Sequence, residues 1–144
     1  MINFADELGQ RTWQRINSEQ VIWLTTVTPD GIPQPRPVWF IWDGEAFIIY
    51  SSPTAWKIKH IAHNPHVSLN FNTGSDGEDI QVILGIAHID PNGPPVKQVQ
   101  AYLDKYRQGI FDIGMTEDSY SAVFRTALRV IPTRLRGLSP LPEA

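Results

Sequence analysis

The chain has no cysteine, which removes disulfides, thiolate nucleophiles and the cysteine-ligated zinc and iron-sulfur centres. Redox chemistry here would need a bound cofactor. Charge of one sign is also scarce. Twelve Lys and Arg stand against 15 Asp and Glu, for a formal net charge of -3 and a pI near 5.7. Such a chain sets up no positive field to gather nucleic acid or an anionic membrane surface. Long apolar runs are missing too: Ile80 to Ile89 is broken by Gln81, Gly85 and His88, and it is too short to cross a bilayer as a helix. Met1 to Glu7 carry neither the basic region nor the apolar stretch of a secretory leader. The expectation is a cytoplasmic protein with no nucleic-acid or membrane partner.

Apolar residues are plentiful. They make up 42% of the chain, with 10% aromatics and five Trp, ample for a buried core. With 144 residues and no long polar linker, residues 1–144 are expected to form a single domain. Asn3 and Asp6, ahead of Leu8, Trp13 and Ile16, resemble a capping box that opens an amphipathic helix to about Asn17. Gln20 to Thr28 is rich in β-branched and aromatic residues and leads into Pro29-Asp30-Gly31, a turn signal. Pro35 to Trp42 ends at Asp43-Gly44, a hairpin signal, and Glu45 to Ser51 follows as a third strand. A short helix is predicted from Pro53 to Asn64-Pro65, then strands over His66 to Asn72 and Ile80 to Ile89. Pro94-Pro95 opens a helix over Val96 to Arg107, and Phe124 to Leu135 returns to strand character. Gln108 to Ser121 gives no clear signal. The pattern is mainly β with flanking helices, and six antiparallel strands of this order suggest a closed or nearly closed barrel.

Two features point to a ligand. Pro35 and Pro37 lie two apart, so their missing N–H groups face the same way, and that side of the strand is expected to be unpaired or bulged. Arg36 and Trp39 on that strand, Tyr50, Ser51 and Ser52 at the end of the next, and Lys57 early in a helix can converge. Hydroxyls, a helix N-terminus and an ammonium together suit a phosphate monoester. The plainer alternative, equally weighted on composition alone, is that Ser52 caps the helix and Lys57 is solvated.

The order of motifs favours the ligand. Thr-Val-Thr-Pro-Asp-Gly-Ile-Pro (26–33), Arg-Pro-Val-Trp-Phe-Ile-Trp-Asp-Gly (36–44), Phe-Ile-Ile-Tyr-Ser (47–51), Lys-Ile-Lys-His-Ile (57–61), Asn-Pro-His-Val-Ser-Leu (64–69) and Pro-Thr-Arg-Leu-Arg-Gly (132–137) follow one another. This series resembles the pyridoxamine 5'-phosphate oxidase-like split-barrel family, and more closely its flavin/deazaflavin branch, whose members bind FMN or coenzyme F420. The resemblance runs from about Val21 to Leu138. It implies a six-stranded antiparallel split β-barrel and a homodimer with the cofactor, FMN or alternatively F420, in a groove between subunits. Arg36, Val38 and Trp39 would then line the cofactor, and Tyr50, Ser51, Ser52 and Lys57 would hold its ribityl-phosphate arm. Ala55-Trp56 stands where the oxidase proper has a Ser-Arg pair, and Leu138 where relatives often carry an aromatic, so pyridoxamine phosphate is not the expected substrate.

The implied function is an oxidoreductase transferring a hydride between its cofactor and a small organic acceptor. A non-catalytic flavin, haem or bilin binder on the same fold is the alternative, and an interaction scaffold a third reading. No catalytic side chain is nominated, because the cofactor performs the chemistry while the protein orients it. His60, His63 and His66 recur every three residues, yet Asn64-Pro65 ends the helix before His66 and no acidic residue completes a ligand set, so no metal site is expected. Arg125, Arg129, Arg134 and Arg136 are read as an anion-facing cluster or, equally, a solvated strand face. Trp13, Trp23 and Trp42 are read as core or interface anchors.

Overall fold

The computed structural model describes residues 2–138. A helix α1 (Glu7–Ser18) is followed by strands β1 (Ile22–Val27), β2 (Pro33–Val38), β3 (Ile41–Trp42) and β4 (Phe47–Ser51), helix α2 (Trp56–His63), and strands β5 (His66–Asn70) and β6 (Ile80–Asp90). A 3₁₀ turn (Val96–Gln98), helices α3 (Gln100–Asp112) and α4 (Glu117–Val123), and strand β7 (Thr126–Leu138) complete the order. The strands form one antiparallel sheet ordered β2-β1-β5-β6-β7-β4-β3, curled into a half-barrel.

There are seven strands, not the six expected. Pro35 to Trp42 reads as one strand in sequence, but the chain bends at Trp39 and Phe40. Residues before the bend pair with β1, and residues after it pair with β4 at the opposite end of the sheet. Only two residues therefore separate the sheet's outermost strands. Both turn signals hold: Gly31 (φ 82°) closes the β1–β2 hairpin and Gly44 (φ 98°) the β3–β4 hairpin, conformations that suit glycine. Asp6, not Asn3, caps α1, its carboxylate accepting from the Gly9 N–H at 2.7 Å. Helix α2 begins at Trp56, because Pro53 is used in the preceding turn, and α3 runs five residues past the expected Arg107 to Asp112.

A bend in a strand strips backbone groups of ladder partners, and buried ones must find others. Here α3 supplies them. Tyr106 is 2% exposed, and its hydroxyl accepts from the Phe40 N–H (2.8 Å) and donates to the Gln20 carbonyl (2.7 Å). Lys105 Nζ donates to the Phe40 carbonyl (2.9 Å) and lies 3.6 Å from the Phe40 ring centroid. Burial lowers the Lys105 pKa to about 8, against a smaller opposing pull from Glu19.

Side-chain alternation then divides the interior into two clusters. Inside the curl lie Ile22, Leu24, Val38, Phe40, Phe47, Ile49, Leu69, Ile83, Leu128 and Val130. On the other face of β4 and β7, Ala46, Ile48, Tyr50 and Ala127 pack with Tyr102, Leu103, Tyr106, Ile110 and Tyr120 from the helices. Strand β4 is buried along its whole length because both of its faces are covered. Among the described residues no helix is long and apolar enough to cross a membrane.

Removing the bridging hydroxyl leaves buried backbone groups unpaired, so Tyr106→Phe is expected to cost about 1–3 kcal/mol of stability. A urea midpoint equal to that of the parent would refute this. Lys105 makes a second prediction. The folded chain disfavours its charged form, so the unfolded chain binds more protons; unfolding free energy should rise between pH of about 8 and 10.5 as that penalty is relieved. Lys105→Met should flatten the rise in denaturation curves taken across that window.

Candidate functional site

Strand β2 is the outermost strand, paired only with β1, and its register sets Pro33, Pro35 and Pro37 opposite Val27, Thr25 and Trp23. In an antiparallel strand alternate residues direct their N–H and C=O groups to one side. Three prolines at alternate positions therefore belong on the unpaired side, where a missing N–H costs no ladder bond. The intervening Gln34 and Arg36 stand opposite the buried Thr26 and Leu24, so their side chains lie on the concave face of the sheet.

Helix α2 faces them across a cavity of about 830 Å³. Leu24, Thr26, Thr28, Gln34, Arg36 and Pro37 come from the hairpin, and Ala55, Trp56, Lys57, Lys59 and His60 from α2 and its N-cap. Three of these are cations and none is an acid. Among the described residues neither Arg36 nor Lys57 nor Lys59 has an acidic partner within salt-bridge distance. Burial lowers the Lys57 pKa, and the charge of Arg36 lowers it further. Two cations facing each other over a partly dehydrated space are costly unless an anion joins them. His60, buried on the cavity wall, shares a hydrogen bond between its Nδ1 and the Thr26 hydroxyl (2.9 Å).

A smaller cavity of about 200 Å³ adjoins the first. Pro37 and Lys57 line both, and Val38, Trp39, Tyr50, Ile113, Tyr120 and Phe124 complete the smaller one. Trp39 is stacked on Tyr106 (4.6 Å between centroids, planes 4° apart) and on Tyr120 (5.5 Å, 18°). Gly109 makes room for it: a Cβ there would lie 3.0 Å from the indole.

The residues expected to form the site are thus divided. Arg36 and Lys57 meet at the larger cavity, and Val38, Trp39 and Tyr50 meet Lys57 at the smaller. Ser51 and Ser52 line neither. Ser51 is buried and donates to the Ser52 carbonyl (3.1 Å), and the Ser52 hydroxyl lies 3.2 Å from that of Thr54 in the turn before α2. Ala55 is the N-cap of α2, without a side-chain bond, so Ser52 does not cap that helix. Lys59 and His60 were legible in principle, since Trp56 and His60 are four apart on one helix face with Lys57 beside them. The Ile113, Tyr120 and Phe124 wall lies around a stretch with no sequence period, and only packing reveals it.

The discounted signals also find places. His63 and His66 are exposed, and among the described residues no three His, Cys, Asp or Glu side chains are grouped to hold a metal ion. Arg129 pairs with Asp43 at 2.7 Å, while Arg125, Arg134 and Arg136 are exposed. Trp23 donates to Asn72, and Trp13 and Trp42 pack edgewise against Phe4.

Residues 9–138 match the sequence profile of pyridoxamine 5'-phosphate oxidase. The chain belongs to this family. No curated protein sequence matches it significantly. Among solved structures it is similar to a putative pyridoxamine 5'-phosphate oxidase from Listeria innocua (22% identity, TM-score 0.65, covering 90% of this chain and 97% of that one). It is similar to an F420 reductase (25%, 0.61, 81% and 89%) and to the haem storage protein HutZ of Vibrio cholerae (16%, 0.63, 92% and 95%). The family motif's closing glycine has a physical basis here: Gly137 sits at φ 132°, and a Cβ would strike the Ile80 carbonyl at 1.9 Å.

Because the ligand-free fold carries the Lys57 charge at a cost, Lys57→Met is expected to raise its thermal midpoint at neutral pH. The same substitution should weaken inorganic sulfate binding by roughly tenfold, the effect of one charged hydrogen bond. Calorimetry of both variants with and without sulfate measures the two effects; a lower midpoint with unchanged sulfate affinity would contradict both.

Proposed function

We propose that the chain is an oxidoreductase that uses FMN, or alternatively coenzyme F420, to exchange a hydride with a small organic acceptor. The observation that carries this reading is the pair Arg36 and Lys57, two cations without acidic partners facing one cavity. Its volume of about 830 Å³ falls in the usual range for cofactor sites, and Leu24, Pro29, Pro37, Ala55 and Trp56 give it apolar walls beside the charges. The residues present fit a planar ligand with an anionic arm. When bound, such a cofactor supplies the hydride chemistry.

In this reading Arg36 and Lys57 hold the phosphate arm, and Ser51 and Ser52 shape the turn that delivers α2. Val38, Trp39 and Tyr50 border the space next to Lys57. Similarity to an F420 reductase supports a flavin-type ligand. In the proposed homodimer, Trp56 on the cavity rim and Phe111, 71% and 74% accessible, are large apolar side chains that a partner subunit would cover.

A second reading, storage of a haem, bilin or flavin without turnover, is favoured by the likeness to HutZ and by a buried histidine on the cavity wall. Titration of the purified protein with FMN, F420 and haemin separates the two. Saturable binding of FMN or F420, weakened by Lys57→Met, together with turnover of an acceptor, is the expected result. Haemin binding alone would select storage, and binding of none of the three would end the proposal.

A further inference from the structure

One wall of the larger cavity is a histidine whose two ring nitrogens have different surroundings. His60 lies midway along α2 and is 8% exposed, and its Nδ1 shares a hydrogen bond with the hydroxyl of Thr26, itself 2% exposed on β1. Among the described residues no buried side-chain nitrogen or oxygen lacks a hydrogen-bond partner, and Nε2 of His60 has none. Nε2 is therefore not sealed in protein, and the accessible edge of the ring is the one that lines the cavity. The Trp56 indole is stacked with the imidazole, 6.4 Å between centroids and planes 25° apart. The other three histidines, His63, His66 and His88, are exposed. The charged groups that share the cavity with His60 are all cations: Arg36 from β2, and Lys57 and Lys59 from α2. Strand β1 contributes only Leu24 and Thr26, and β6, which also packs on α2, sends no side chain to the lining.

We infer that His60 is a proton-linked ligand of the anion in this cavity: Nε2 takes a proton from solvent as the anion enters and donates that N–H to it, so anion and proton are bound and released together. An imidazole tethered at one nitrogen has one position left for proton exchange, and imidazole is the side chain whose charge ordinarily changes near neutral pH. An anion within hydrogen-bond reach favours its charged form, and a charge-assisted bond is the stronger one. No carboxylate lines the cavity, so the incoming ligand is the first negative charge that the ring meets there. No covalent bond other than N–H changes, and on release the proton returns to solvent. The inference rests on the anion site that Arg36 and Lys57 form in the reading above, but neither on FMN nor on turnover.

Sulfate stays a dianion across neutral pH, so any proton taken up on its binding belongs to the protein. Calorimetry of the cofactor-free chain in buffers of different ionisation heat counts that proton, and histidine ring NMR follows each midpoint, His60 being assigned by its loss in His60→Gln. Sulfate is expected to raise the His60 midpoint by about one pH unit and to leave the three exposed histidines in place. Because the bound state holds more protons, sulfate affinity should fall several-fold between about pH 6 and 8. His60→Gln should bind sulfate about tenfold more weakly than the parent at the acid end, match it at the alkaline end, and take up no proton. Lys57→Met should weaken binding yet keep the uptake. Sulfate binding that leaves the His60 midpoint of the parent unmoved, or an uptake that survives His60→Gln and vanishes in Lys57→Met, would overturn the inference and leave the anion site standing. No sulfate binding at any pH would refute both. Proton-linked sulfate binding in a chain that takes neither FMN nor F420 would uphold the inference and refute the oxidoreductase reading instead.

Discussion

The Tyr106 hydroxyl, held between the Phe40 amide and the Gln20 carbonyl, is the contact on which the rest of the architecture depends. A single segment supplies both outer strands of the sheet, so the curl requires a sharp change of direction with polar groups buried at the corner. Helix α3 resolves this from outside the sheet, with Lys105 taking the Phe40 carbonyl beside the hydroxyl. The same anchoring lays α3 against Trp39, where Gly109 leaves room for the indole. One helix thereby fixes both the closure of the sheet and the wall of the smaller cavity.

Electrostatics at the larger cavity run against stability. Four cations elsewhere are matched, Arg11 with Asp79, Arg15 with Glu19, Arg107 with Glu117 and Arg129 with Asp43, while Arg125, Arg134 and Arg136 are exposed, without an acidic partner among the described residues. Arg36 and Lys57 are left to repel each other in a partly dehydrated space. Folds retain such arrangements where strain is relieved by a ligand, since binding to the folded state alone stabilises it. What distinguishes this region from an ordinary solvated face is that Lys57 is partly buried and shares one cavity with Arg36, both effects lowering its pKa.

Much of the fold was legible because its signals are local. Pro29-Asp30-Gly31 and Asp43-Gly44 close the hairpins they predict, and alternation in Val67, Leu69 and Phe71 marks a half-covered strand that pairs on both sides. The seventh strand was hidden, because the bend at Trp39-Phe40 is held by the hydroxyl of Tyr106, 66 residues away, and leaves no mark on the local pattern. Sequence proximity also misplaced Ser51: it ends a strand covered on both faces, so its hydroxyl turns into the protein. Arg36 and Lys57, by contrast, stand out in the sequence as cations between apolar neighbours, and they line one cavity. The smaller cavity's far wall was illegible, since Ile113, Tyr120 and Phe124 come from a turn and a short helix without amphipathic period.

The three prolines of β2 bear on how this protein coexists with other chains. An uncovered sheet border ordinarily recruits a neighbouring strand by offering donors and acceptors in alternation. Here the border offers carbonyl oxygens only, so an incoming backbone would leave its own acceptors stranded at every second step. The margin beside the cavity thus stays open without offering a template for strand addition.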